Sequence, residues 1–89
     1  MRPLIVLALA PFALAQTPTG AEVYVKACAQ CHDVAGTRAP TRDVMKQMSA
    51  SAILRSMENG VMLFQTTQLT KAEKVAVSEY ISARKLGEE

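Results

Sequence analysis

Apolar residues recur at helical spacing in several stretches of the chain, and no stretch alternates with the period of a strand that has a turn partner. Val23, Tyr24 and Ala27 follow Thr19-Gly20-Ala21-Glu22, which reads as a capping box with Thr19 as N-cap. That helix is expected to run on into the stretch that begins at Cys28. Thr41 can cap a short helix carrying Val44, Met45 and Met48. Ser49 can cap another over Ala50 to Asn59, with Ile53, Leu54 and Met57 on one face. Gly60 suits a left-handed C-cap. A second capping box, Thr70-Lys71-Ala72-Glu73, opens the last helix. Val77, Tyr80, Ile81 and Arg84 recur along it, and Gly87 is expected to stop it. Lys71, Lys74 and Glu79 read as a solvated face. Residues 33–41 and 61–69 read as loops. The prediction is an all-α domain of about four helices.

The first stretch of the chain differs. Arg2 is followed by an apolar run from Leu4 to Leu14, too short for a stable bilayer span and interrupted by Pro11. Ala13-Leu14-Ala15 has the form of a cleavage site. Residues 1–15 therefore read as a signal peptide cleaved after Ala15, and 16–89 as the mature domain. Its destination is periplasmic or otherwise exported, with no membrane segment after cleavage.

The whole chain has 89 residues, with 10 Lys and Arg against 8 Asp and Glu. Arg2 lies in the leader, so the mature domain is nearer neutral still. No basic tract is present for nucleic acid. There is no Trp, and the mature aromatics are Tyr24, Phe64 and Tyr80. A domain this small buries little surface and commonly needs a staple.

Cys28-Ala29-Gln30-Cys31-His32 supplies one. The motif C-x-x-C-H is the attachment signature of c-type haem. On a helix, residues three and four apart share a face. Cys28 and Cys31 can then form two thioethers to one haem, with His32 held over the iron. The covalent haem would fill a core the side chains leave thin. Three plainer readings exist. A structural disulfide would leave His32 an ordinary surface residue. A redox dithiol is expected near a βαβ pattern, which is not found. Zinc would need further ligands, and the chain has one His and two Cys.

The second axial position cannot be a histidine of the same chain. Methionine sulfur, a lysine amine or an open position remain. Met45, Met48 and Met57 fall at helical spacing among apolar residues, where Met usually fills core. Met62 sits in a loop after Gly60 and ahead of the last helix, so it is the preferred ligand. Gly20 and Tyr24, four apart, read as core packing: a small residue admits another helix and the ring covers the seam.

Taken together, these residues resemble a class I cytochrome c. The resemblance rests on Cys28, Cys31, His32, the loop with Pro40, Met62, and terminal helices with Gly20, Tyr24 and Tyr80. It implies that the first and last helices cross, small residue against aromatic, around one covalent haem c. It implies that the Pro40 carbonyl supports His32. Ala39-Pro40-Thr41-Arg42, Met48-Ser49, Ile53-Leu54, Gly60-Val61-Met62 and Leu69-Thr70 are more narrowly similar to the N-terminal cytochrome module of polyvinyl-alcohol-dehydrogenase-like quinohaemoproteins. In those proteins a β-propeller that binds pyrroloquinoline quinone follows the module, and residues 84–89 look like the linker into it. The implied function is electron transfer, with electrons accepted from a periplasmic quinoprotein dehydrogenase. The chain itself is then a carrier and not an enzyme. A free-standing periplasmic cytochrome is the alternative. A haem enzyme with an open sixth position is another, although no histidine is left to act as its distal base.

Overall fold

The computed structural model describes residues 18–89. The signal peptide and its cleavage site after Ala15 lie outside the described residues. Five α-helices follow in order: α1 Gly20–Ala27, α2 Ala29–His32, α3 Arg42–Met45, α4 Ala50–Asn59 and α5 Lys71–Ser82. A 3₁₀ turn, Phe64–Thr66, interrupts the segment before α5, where only loop was expected. No strand occurs among the described residues. The fold is all-α, as the periodicity predicts.

The start signals act as the sequence implies. Thr19 accepts from the Glu22 amide at 3.2 Å while its own amide donates to Glu22 Oε1 at 2.8 Å. Thr70 and Glu73 repeat the exchange at 3.1 and 2.9 Å. Ser49 and Thr41 each accept from the amide three residues on. Each cap satisfies amides that the first turn of a helix leaves without partners.

The first helix is not continuous. Cys28 departs from helical geometry (φ −120°, ψ −37°) and separates α1 from α2. Its carbonyl accepts from both the Cys31 and His32 amides, at 3.2 and 3.0 Å. The turn bearing Cys31 and His32 is thus tightened but not broken away.

Three helix ends differ from expectation, the first being α3, which stops at Met45 and leaves Met48 in the turn beyond it. Gly60 is not left-handed: its backbone is at φ −122°, ψ −149°. The Ser56 carbonyl accepts from the amides of both Gly60 and Met62, and a Cβ on Gly60 would stand 3.1 Å from that oxygen. Glycine serves close approach here and not handedness. Helix α5 ends well before Gly87. Ala83 takes the left-handed conformation, at φ 58° and ψ 32°. Side chains then satisfy the exiting amides: Ser82 Oγ accepts from Arg84, and Glu79 Oε2 accepts from Leu86 at 2.8 Å. Arg84 does not extend the apolar stripe. It donates to the Met48 carbonyl at 2.9 Å and ties the tail to the turn before α4.

Helix α5 packs on both α1 and α4. Val23, Tyr24, Cys28, Met45, Ile53, Met57, Leu69 and Val77 form the buried cluster between them. At the α1–α5 crossing Gly20 faces Ala76 and Tyr80. The small-against-aromatic contact therefore pairs Gly20 with Tyr80, and the Tyr24 and Tyr80 rings lie 5.8 Å apart. Lys71 and Glu79 are not idle on their face. Lys71 pairs with Glu58 at 3.0 Å, and Glu79 closes the tail as described.

Candidate functional site

The helices enclose an apolar cleft with about 690 Å³ of free space, its open mouth included. Cys28, His32 and Pro40 form one side. Met45 from α3, Met48 from the turn after it, and Ile53 and Met57 from α4 line it, and Val61, Met62 and Ile81 complete it. Among the lining residues the polar ones are His32, Ser56 and Thr66. A flat, largely apolar macrocycle suits such a lining, and the Cys28 thiol and the His32 imidazole stand at its edge, while Cys31 does not line it. These residues fit a haem.

His32 is 8% exposed although it follows a surface cysteine. Its Nδ1 lies 2.7 Å from the Pro40 carbonyl oxygen. A carbonyl only accepts, so Nδ1 carries the proton and donates. In the neutral ring this places the lone pair on Nε2, the arrangement a metal-binding imidazole needs. Proline has no amide hydrogen, so Pro40 offers this loop an acceptor alone.

Cys28 and Cys31 are both free thiols. Cys28 is buried in the cleft wall, and burial pushes its thiol pKa up. Cys31 is exposed. Among the described residues no group of three His, Cys, Asp or Glu converges as a metal site. The structure thus offers neither the disulfide nor the zinc set.

All four candidate methionines reach the cleft, which helical spacing alone does not reveal. Met45 and Met57 are core residues, while Met48 and Met62 pack at its margin. Met62 differs in how its backbone is held. Its amide donates to the Ser56 carbonyl at 3.0 Å. Its carbonyl accepts from Thr66 Oγ1 at 2.8 Å, and Thr66 is 2% exposed. The 3₁₀ turn therefore buries a hydroxyl that anchors the Met62 loop from behind. A threonine in a loop carries no sequence signal for that role.

A polar cluster beside the site also lies beyond sequence reasoning. Asp33, directly after His32, accepts the Tyr24 hydroxyl at 2.7 Å. It also accepts Arg42 Nε and Nη2, at 3.1 and 3.0 Å. The Arg42 guanidinium lies 4.0 Å over the Tyr24 ring and donates to the Tyr80 hydroxyl at 3.0 Å. Arg42 and Tyr24 hold Asp33 below the usual carboxylate range. Burial, then the Asp33 bond, pushes Tyr24 up to about 12. Tyr24 is core, as its spacing suggests, but its hydroxyl belongs to this network.

Comparison with known proteins agrees with the geometry. A family model described as cytochrome C oxidase, cbb3-type, subunit III matches residues 15–81. A polyvinylalcohol dehydrogenase of Pseudomonas sp is 38% identical over 84 residues, covering 94% of this chain and 13% of the relative. A polyvinylalcohol dehydrogenase of Sphingopyxis sp. (strain 113P3) is 39% identical over 62 residues, covering 70% of this chain and 10% of the relative. The chain thus spans a small fraction of the length of these relatives. No solved structure matches it significantly. A cytochrome c domain carries haem c and transfers electrons through it. With its C-x-x-C-H motif, its helical cleft and a family match over most of its length, the chain belongs to this cytochrome c family.

Proposed function

We propose that this domain is a His/Met-ligated electron carrier serving a quinoprotein dehydrogenase. Cys28 and Cys31 would hold the haem covalently, and His32 and Met62 would hold its iron. The bound group supplies a one-electron couple between ferrous and ferric iron. The chain's own residues do the rest. Pro40 fixes the proton on Nδ1 of His32, and Thr66 and Ser56 anchor the Met62 backbone. The apolar lining of the cleft keeps water from the group. The observation that carries this reading is the 2.7 Å bond from a buried His32 to the Pro40 carbonyl. A surface histidine with no ligand to orient has no need of it.

The partner follows from resemblance and from charge. Two relatives bear the name polyvinylalcohol dehydrogenase and are far longer than the matched segment. The electron donor is then a pyrroloquinoline quinone held in a β-propeller on the same polypeptide. A nearly neutral domain has little long-range field to steer toward a separate partner. A tether replaces steering with a high effective concentration. Domains of this kind are typically exported, and the periplasm is the proposed compartment. Among the described residues no helix is long and apolar enough to cross a membrane.

The experiment is expression with the haem-attachment machinery, followed by acid–acetone extraction and mass measurement. The colour should stay with the polypeptide, and the mass should exceed it by one haem. Colour that extracts cleanly overturns covalent attachment. A gene with a stop after Glu89 and no quinoprotein nearby would favour a free-standing cytochrome.

A further inference from the structure

Two cross-links span one loop. The first is the bond from His32 Nδ1 to the Pro40 carbonyl, at 2.7 Å. The second joins the next residue on one side, Asp33, to Arg42, two residues past Pro40. It is a two-pronged fork, with N···O distances of 3.1 and 3.0 Å. The segment between them, 34–41, has no helix and is mostly exposed. Within it Thr37 Oγ1 donates to the Cys31 and Val34 carbonyls, at 2.8 and 3.2 Å, and these ties stop short of Pro40.

Exposed ion pairs commonly contribute little. This one is bidentate and is not isolated. The Arg42 guanidinium stacks 4.0 Å over Tyr24, whose side chain is fully buried and cannot swing away. Its remaining prong reaches the Tyr80 hydroxyl on α5 at 3.0 Å. The Tyr24 hydroxyl returns to Asp33 at 2.7 Å. Arg42 is therefore fixed by a helix on each side and by the residue next to His32. Lysine in its place has the charge but neither the planar fork nor the stack.

We propose that Arg42 is a positioning residue for His32: by gripping Asp33 over Tyr24 it closes the loop and presses the Pro40 carbonyl onto Nδ1–H. The inference rests on the reading of His32 as an iron ligand. A firm acceptor at Nδ1 makes the opposite nitrogen more basic and favours ferric iron. Loosening the grip should raise the reduction potential. Charge alone acts differently. Were charge the whole effect, Arg42→Lys would change nothing and Arg42→Gln would lower the potential.

The test uses the haem-loaded protein, with the potential measured by redox titration and the exchange of the His32 ring proton by NMR. Arg42→Lys should speed that exchange about tenfold, the worth of one hydrogen bond, and raise the potential. Arg42→Gln should raise it too, against the sign of its lost charge. Unchanged exchange and potential in Arg42→Lys overturn the proposal and leave the cluster as packing between α1 and α5. A lowered potential in Arg42→Gln with unchanged exchange also overturns it. Should Arg42→Lys fail to load haem, Asp33→Asn gives the same exchange measurement, and unaltered exchange there is decisive against. A wild-type His32 ring proton that ferric iron does not shift would refute the ligand assignment itself. That result is read without any variant, so the two failures stay separate.

Discussion

Gly20 lies so close to Tyr80 that a Cβ at position 20 would stand 2.6 Å from the Tyr80 Cβ and against the Ala76 carbonyl. The helices that frame the cleft meet at this point. Gly20→Ala must push α1 off α5, and overpacking of this kind costs about 1–3 kcal/mol. The melting temperature of the haem-loaded variant should fall by several degrees. An unchanged melt would mean that the crossing yields without cost.

Ala83→Gly should do the reverse. Ala83 ends α5 in the left-handed region, at φ 58°. A side chain there costs about 1 kcal/mol, and glycine avoids the clash. The expected outcome is a melting temperature higher by about 4 °C or more. A lower one would show that the Cβ makes a contact worth more than the strain.

Stability should depend on pH through Glu73. The Thr70 backbone amide donates to its carboxylate and, with Lys26 nearby, lowers its pKa from 4.5. The folded value is thus below the unfolded one. The contribution is complete above the ordinary carboxylate value and is lost as pH falls through the folded one. Glu73→Gln retains the cap but not the charge. Denaturant titrations should show wild type ahead at neutral pH and the gap closing in acid. A gap that stays constant would show that the charge is not what stabilises.

Met62→Ala should remove the weak red-edge band of sulfur on ferric haem and let the ferrous protein bind carbon monoxide. Met48→Ala and Met57→Ala should keep the band. If one of those abolishes it and Met62→Ala does not, that methionine is the ligand.

What the sequence made legible was local. Thr19, Ser49 and Thr70 announce their helices because the cap and its partner lie three residues apart. The C-x-x-C-H motif is legible for the same reason. Gly60 misled because its conformation depends on a competition for the Ser56 carbonyl, and Met62, a later residue, shares in it. The end of α5 was misplaced because Glu79 and Ser82 supply the cap from side chains. Met62 could be singled out as a loop residue, but that Met45, Met48 and Met57 also face the cleft needs the helices docked. Asp33, Arg42 and Thr66 were invisible as partners, since their bonds join residues that only the closed loops bring together.

Cys28 and Cys31 belong to one motif yet meet different surroundings: Cys28 is 7% exposed, while Cys31 lies open on the surface. An oxidant or alkylating agent arriving from solvent reaches Cys31 first, since such damage follows access. Within the fold, then, one sulfur is sheltered and its twin stands at the surface. Losing Cys31 would halve the tether and leave an apolar cleft with one anchor. Attack from solvent on this motif thus falls first on a single sulfur atom.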